Sequence, residues 1–324
     1  MPRQPVVDVS RVSVLGSGTM GTQIALSFAL GGIRVSLWGR RKDSLAGAVK
    51  RIEGSLDYMI EVGLAGKGKR AEILNRITTT QDLSDAVTNA SFVIEAVVED
   101  FNTKQELLSR VESMAASDLV LSSTTSAIGA TALQARLTNP AHFAVAHYAQ
   151  PGHLVRLVEV VPGQQTSEET TRFLIDLLTG TGKRPVVCPD IPGFLWSRIQ
   201  HAVLRECVNL VDRGVATPEA CDTVIKEGYA VRLPVMGSFE HADLAGLDLI
   251  DSEASRAVWA DLSNASSPEQ TMIGRLVDEG HLGMRTGKGF YNWTERDPEA
   301  FKRNRDEEII RRILIQAGGK VRPA

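Results

Sequence analysis

The chain has 324 residues, 43% of them hydrophobic and 23% charged, the balance of an ordinary globular protein. Its 36 basic residues against 39 acidic ones leave a net charge of −3, so bulk electrostatics provide no basic footprint for nucleic acid. The length exceeds what one core usually fills, about 250–300 residues, and two domains are expected.

Met1–Ser10 lacks the apolar stretch of a secretory signal, and no apolar run approaches the ~18 residues of a membrane span. The three cysteines, Cys188, Cys207 and Cys221, form no CxxC motif and read as small buried hydrophobes. A reduced cytoplasm is the expected compartment. No metal-ligand spacing is present, and there is no internal repeat.

In chain order, Val12–Leu15 reads as a strand, Thr19–Leu30 as a helix and Val35–Trp38 as a second strand. Leu45, Val49, Ile52, Leu56 and Met59 recur at spacings of 4, 3, 4 and 3, one face of a helix. Phe92–Val97 and Leu119–Leu121 are further strands, with a helix from about Thr103 to Met114 between them. This alternation predicts βαβ units and a parallel, doubly wound sheet. Phe143–His147 and Val155–Val161 flank a Pro-Gly turn, Thr166 with Glu169 reads as a capping box, and Pro185–Cys188 is the last strand. From Gly193 onward helix dominates, with Ile199, Val203, Cys207, Leu210 and Val211 on one stripe. Thr217-Pro218 and Ser267-Pro268 place N-caps before a first-turn proline, with Gly228 and Gly280 as the matching stops. The boundary is drawn near Asp190–Gly193, giving a Rossmann-type α/β domain over 1–190 and an all-helical domain over 191–324. Gly318–Ala324 reads as a frayed end.

Gly16-Ser17-Gly18-Thr19-Met20-Gly21 fits GxGxxG between a predicted strand and a predicted helix. The first glycine makes the turn, the second lets a pyrophosphate approach the backbone, and the third allows helix–strand packing. About 20 positions on, an acidic residue usually binds the ribose 2′-hydroxyl. Here the position is Gly39, followed by Arg40, Arg41 and Lys42. A glycine leaving room beside two guanidinium groups suits a 2′-phosphate, so NADP(H) is favoured over NAD(H). Asp43, in the next turn, keeps NAD(H) as the alternative.

His147 closes one apolar strand and Glu159 lies inside another, with a chain reversal between them at Gln150–His153. A carboxylate in such a run is costly to bury unless paired. A two-strand return would bring the two side chains together. The glutamate would fix the imidazole tautomer, and the other ring nitrogen would exchange a proton with a hydroxyl or carbonyl oxygen. The remaining five histidines lack such a partner.

With these residues in place, the sequence resembles the L-3-hydroxyacyl-CoA dehydrogenase family over nearly its whole length. The resemblance is carried by GSGTMG, FVIEAVVE (Phe92–Glu99), SSTTS (Ser122–Ser126), HYAQPGHLVRLVEV (His147–Val160), PGFLWSRI (Pro192–Ile199) and TGKGFY (Thr286–Tyr291). The lambda-crystallin, L-gulonate dehydrogenase and carnitine dehydrogenase branches share this plan and act without CoA. The resemblance implies that His147 is the acid/base, Glu159 its partner and Thr125 a substrate-contacting hydroxyl. It also implies that Glu99 and Lys104 line the nicotinamide end and that Arg285 is a basic position near the cofactor. The helical half looks like the family's substrate and dimerisation domain, and a homodimer is expected.

Departures bear on the substrate. Ser197 stands where the family usually has an asparagine that helps hold the substrate oxygen, and Gln150 where it has an asparagine after the catalytic histidine. The family's CoA-contacting helix is lysine-rich after a serine matching Ser55. Here that stretch is Asp57–Val62, without lysine, and only Lys67, Lys69 and Arg70 follow.

Three readings result. The leading one is an NAD(P)-dependent 3-hydroxyacyl dehydrogenase or ketoreductase using a His-Glu pair. The second is a dehydrogenase of a small CoA-free hydroxy acid or other β-oxygenated compound. The third, a non-catalytic dinucleotide-binding protein, is disfavoured by the retention of both His147 and Glu159.

Overall fold

The computed structural model describes residues 9–316; the expected fraying of Gly318–Ala324 lies outside them. Eight strands form one sheet in the order β3-β2-β1-β4-β5-β6-β7-β8. They are β1 (Arg11–Leu15), β2 (Arg34–Trp38), β3 (Ile77–Thr80), β4 (Phe92–Glu95), β5 (Val120–Ser123), β6 (Phe143–Tyr148), β7 (Leu157–Pro162) and β8 (Arg184–Val187). β1 to β6 are parallel; β7 pairs antiparallel with β6, and β8 parallel with β7. The expected doubly wound sheet is present, followed by a helical segment.

The crossovers are α1 (Thr19–Leu30), α2 (Lys42–Glu61), α3 (Arg70–Leu74), α4 (Leu83–Val87), α5 (Phe101–Met114), α6 (Ala130–Gln134) and α7 (Glu168–Gly180). The central strands are buried on both faces, which is why they read as continuous aliphatic runs rather than alternating ones. Successive side chains still point to opposite faces. Phe92 and Ile94 join one core with Phe28, Leu56 and Leu177, whereas Val93 joins the other with Leu108, Val111 and Leu133.

Several local expectations shift. The buried stripe of α2 is Leu45, Ala48, Ile52, Leu56 and Met59, so the face turned to the core runs through Ala48 and leaves Val49 exposed. β3 escaped notice because Ile-Thr-Thr-Thr at a sheet edge carries one aliphatic residue. α7 is capped by Ser167, whose hydroxyl accepts from the Thr170 N–H; Thr166 instead donates to the Phe143 carbonyl.

After α7 the helices are α8 (Trp196–Asp212), α9 (Pro218–Val224), α10 (Ala230–Arg232), α11 (Ser238–Ala245), α12 (Leu247–Ile250), α13 (Glu253–Asp261), α14 (Met272–Asp278) and α15 (Pro298–Gln316). Thr217 caps α9 as expected. Gly228 is no stop: it sits in a π-turn that runs on into α10. Ser267-Pro268 opens only a 3₁₀ turn, and α14 begins later, capped by Thr271. Gly280 ends α14 in the left-handed region, at φ +75°. On α8 only Val208 is buried, and Ile199, expected on the stripe, is exposed.

The chain divides into two compact units. One holds residues up to Arg198 and again from Arg303; the other is Ile199–Lys302. This differs from a single cut near 190, because the end of α15 returns to the sheet unit, where Ile310 joins the core. No helix among the described residues is long and apolar enough to cross a membrane.

Candidate active site

In a doubly wound sheet, ligands bind outside the carboxyl ends of the strands, where the strand order reverses. Here the reversal lies between β1 and β4. Gly16 follows β1 at φ +132°, and a Cβ there would lie 2.4 Å from the Ala96 carbonyl oxygen, just past β4. A Cβ on Gly21 would lie 1.8 Å from the Gly16 oxygen, so this glycine lets α1 approach the turn. A Cβ on Gly18 would meet no protein atom within 4 Å. Nothing among the described residues requires glycine at 18, as expected if a ligand approaches that backbone. A cleft of about 1160 Å³ opens here, bounded by the glycine loop with Ser17, Thr19 and Met20, by Gly39–Arg41 and by Glu99 and Lys104. The loop, the size of the cleft and the first turn of α1 fit a dinucleotide.

At the far end of the cleft, Gly39 does not leave the room expected of it. A Cβ there would lie 2.9 Å from both Leu45 Cδ2 and Ser17 Oγ, so packing occupies that direction. Arg41 pairs with Asp43 at 3.3 Å and donates to the Ser44 hydroxyl, while the exposed Arg40 guanidinium carries no hydrogen bond among the described residues. Arg51, not anticipated, donates from α2 to the Ser17 carbonyl at 2.7 Å.

Lys104 is 1% exposed and rests on a carboxylate that sequence reasoning missed, Glu95, itself fully buried at the end of β4. Its Nζ lies 2.8 and 3.0 Å from the Glu95 oxygens and 3.1 Å from Glu99 Oε2. Ser123 Oγ and the Val97 N–H also donate to Glu95, so this buried charge is paired and its oxygens are bonded. FVIE carried the signal: a carboxylate closing a fully apolar strand.

Thr125 is buried. Its hydroxyl donates to Glu99 and accepts from the N–H groups of Ala127 and Ile128. For Thr125 to donate to a substrate oxygen, Glu99 must release it.

His147 and Glu159 are directly opposed residues of the antiparallel β6–β7 pair. His147 Nδ1 lies 2.7 Å from Glu159 Oε2, and the two are 7% and 2% exposed. Nε2 makes no hydrogen bond among the described residues and is not sealed from solvent. The other carboxylate oxygen, Oε1, accepts the N–H groups of Leu195 and Trp196 at 2.9 and 2.7 Å, the entry to α8. A carboxylate at a helix N-terminus is favoured by the unpaired amides and the helix dipole.

Phe194 sets the other wall, its ring 5.7 Å from the imidazole. It is fully buried at φ +48°, after Gly193 at φ +76°. Two successive left-handed residues fold the chain so that Phe194 turns inward while the next two amides reach Glu159. Cys188, buried beside Glu159, has its thiol pushed up to about 12 by burial and the adjacent carboxylate, which makes it inert.

Ser197 is half-buried in the first turn of α8 and Gln150 is exposed after β6. Arg285 is exposed in the other compact unit. No group of three His, Cys, Asp or Glu side chains that could hold a metal ion occurs among the described residues.

Two family models match most of the chain. That of the 3-hydroxyacyl-CoA dehydrogenase NAD-binding domain covers residues 11–191, and that of the C-terminal domain covers 193–293. The chain is 31% identical over 310 residues to 5-formyl-3-hydroxy-2-methylpyridine 4-carboxylate 5-dehydrogenase of Mesorhizobium japonicum, covering 94% of this chain and 98% of the relative. It is 35% identical over 290 residues to mitochondrial hydroxyacyl-coenzyme A dehydrogenase of Sus scrofa, covering 88% and 91%. The solved structure of a 5-formyl-3-hydroxy-2-methylpyridine 4-carboxylic acid 5-dehydrogenase, described as an NAD+-dependent dismutase, matches with a TM-score of 0.87 at 29% identity, covering 96% and 100% of the two chains. That of (S)-3-hydroxybutyryl-CoA dehydrogenase from Ralstonia eutropha matches with a TM-score of 0.73 at 28% identity, covering 88% and 99%. Both halves of the sequence are thus accounted for by one lineage, and the chain belongs to the 3-hydroxyacyl-CoA dehydrogenase family.

Proposed function

We propose that this oxidoreductase interconverts a β-hydroxyl and a β-ketone, with His147 as the acid/base and Glu159 as the group that orients it. The observation that carries this reading is the buried Nδ1–Oε2 hydrogen bond, which leaves Nε2 without a hydrogen bond among the described residues. In the neutral ring Nδ1–H donates to Glu159, so Nε2 is an acceptor. Nε2 takes the hydroxyl proton as the alcohol is oxidised and returns one to the ketone oxygen in reduction. A bound nicotinamide dinucleotide accepts or supplies the hydride. Gly16, Gly18 and the first turn of α1 hold its pyrophosphate, Glu99 and Lys104 border its nicotinamide end, and Thr125 and Ser197 hold the substrate oxygen. The test is His147→Gln: turnover falls by about 10²–10⁴-fold while cofactor affinity persists. Undiminished turnover would overturn the reading.

NADP(H) is the favoured cofactor, supported by the missing carboxylate at 39 and by Arg40, whose guanidinium carries no hydrogen bond among the described residues. The helical unit supports a homodimer, because Phe239, Val235 and Leu244 are 90%, 83% and 76% exposed. Light scattering on the purified protein tests this. A reduced cytoplasm remains the proposed compartment.

A second reading, a CoA-free substrate, is favoured by the surface of α2. Arg70, one of the groups that would have met a CoA phosphate, is held by Asp57 at 2.5 and 3.0 Å, and this pairing pulls the Asp57 carboxyl below its usual range. Beside it, burial and then the charges of Glu307, Asp306 and Glu61 push the Tyr58 phenol up. A phosphate would meet carboxylates here. The relative from Mesorhizobium japonicum is named for a pyridine carboxylate. Saturation by a free β-hydroxy acid, and none by its CoA thioester, would decide for this reading.

A further inference from the structure

The connection from Ala149 to Arg156 sets the register in which His147 faces Glu159, and it is gripped from two sides. Lys183 lies between Gly182 and β8, 6% exposed. Its Nζ donates to the Gly152 carbonyl at 2.5 Å and the Val155 carbonyl at 2.9 Å. It also stands 5.6 Å from the ring centroid of Tyr148, the residue after His147. From the other side, the Gly152 N–H donates to Gln23 Oε1 on α1 at 2.8 Å.

Among the described residues, the titratable side chains beside Lys183 are Tyr148, His153 and Arg156, and no carboxylate pairs with it. Burial, with Arg156 adding repulsion, pushes the Lys183 amine down to about 8. A buried ammonium without a carboxylate is costly, and an apolar side chain would fill the space at lower cost. What an apolar side chain cannot do is supply donors to two carbonyls of this turn.

We infer that Lys183 is a positioning residue: by holding the Gly152 and Val155 carbonyls it fixes the β6–β7 return and thereby the His147–Glu159 hydrogen bond. The inference rests on the proposed role of His147. Charged or neutral, the amine has at least two N–H donors, so the grip does not depend on its protonation. A one-residue slip in the pairing would turn His147 to the opposite face, and a smaller displacement would misalign Nε2.

The test is Lys183→Met, which keeps the length and removes the donors. With equal folded fractions, kcat falls at least about tenfold, cofactor affinity changes less than about twofold, and the downfield Nδ1–H proton resonance of His147 shifts or broadens. Lys183→Arg restores kcat to within about threefold. Wild-type kcat with an unmoved resonance in Lys183→Met overturns the inference. If Lys183→Met does not fold, Lys183→Gln carries the same expectation and the same overturning result. The resonance is assigned by its loss in His147→Gln. Retained turnover in that variant would refute the acid/base reading, while the resonance would still report whether Lys183 positions the ring.

Discussion

Glu159 divides its two carboxylate oxygens between His147 Nδ1 and the amides of Leu195 and Trp196. One buried group therefore fixes the imidazole and anchors the start of α8, coupling the orientation of the ring to the placement of Ser197.

Glu159→Gln tests that coupling. An amide nitrogen facing Nδ1 favours the wrong tautomer, and the charge at the start of α8 is lost. Steady-state kinetics should register a fall in kcat of about 10²–10⁴-fold. Chemical denaturation should register a loss of about 1–3 kcal/mol. A variant as active as the parent would leave Glu159 with the helix alone.

Lys104→Met strands Glu95, which is fully buried. Breaking a buried ion pair from one side costs about 3–5 kcal/mol, to be read from urea unfolding curves. Adding Glu95→Gln removes the stranded charge and should recover much of the loss. If the single variant is as stable as the parent, Lys104 serves the cleft and not the fold.

His153 makes stability depend on pH. Its Nδ1 is buried without a hydrogen-bond partner among the described residues, and burial, with Lys183 and Arg305 nearby, pushes the ring down to about 4. Between about 4 and the ordinary value of 6.5, the unfolded chain binds a proton that the folded chain does not. Stability from this group is therefore complete above 6.5 and lost as pH falls toward 4, with a slope of at most about 1.4 kcal/mol per pH unit. Tm measured across that range should flatten in His153→Phe. An unchanged profile would assign the acid limb elsewhere.

Cofactor choice is best tested by removing arginines. Gly39→Asp would have to displace Leu45 and Ser17, so its effect would mix packing with recognition. Arg40→Ala with Arg41→Ala should raise the KM for NADPH by about tenfold or more and leave that for NADH nearly unchanged. Equal effects on both cofactors would remove the 2′-phosphate argument.

Much of the fold is legible in the sequence because it rests on local rules. Aliphatic runs interrupted by helical periods dictate a parallel sheet, and glycines at 16, 18 and 21 mark a turn at which side chains would collide or block a ligand. His147 and Glu159 are readable as a pair because a short reversal between two apolar strands leaves few ways to place them. Other features are set by partners distant in the chain. β3 is a strand because β2 offers it an edge, Gly39 is closed off by Leu45 and Ser17, and Glu95 is tolerable because Lys104 arrives from α5 and Ser123 from β5. Phe194 reaches the imidazole through a left-handed turn, and Lys183 grips a turn about 30 residues earlier in the chain. Periodicity and backbone sterics act along the chain and can be read from it. The pairing of buried charges and the filling of space act across it, and only the tertiary structure decides them.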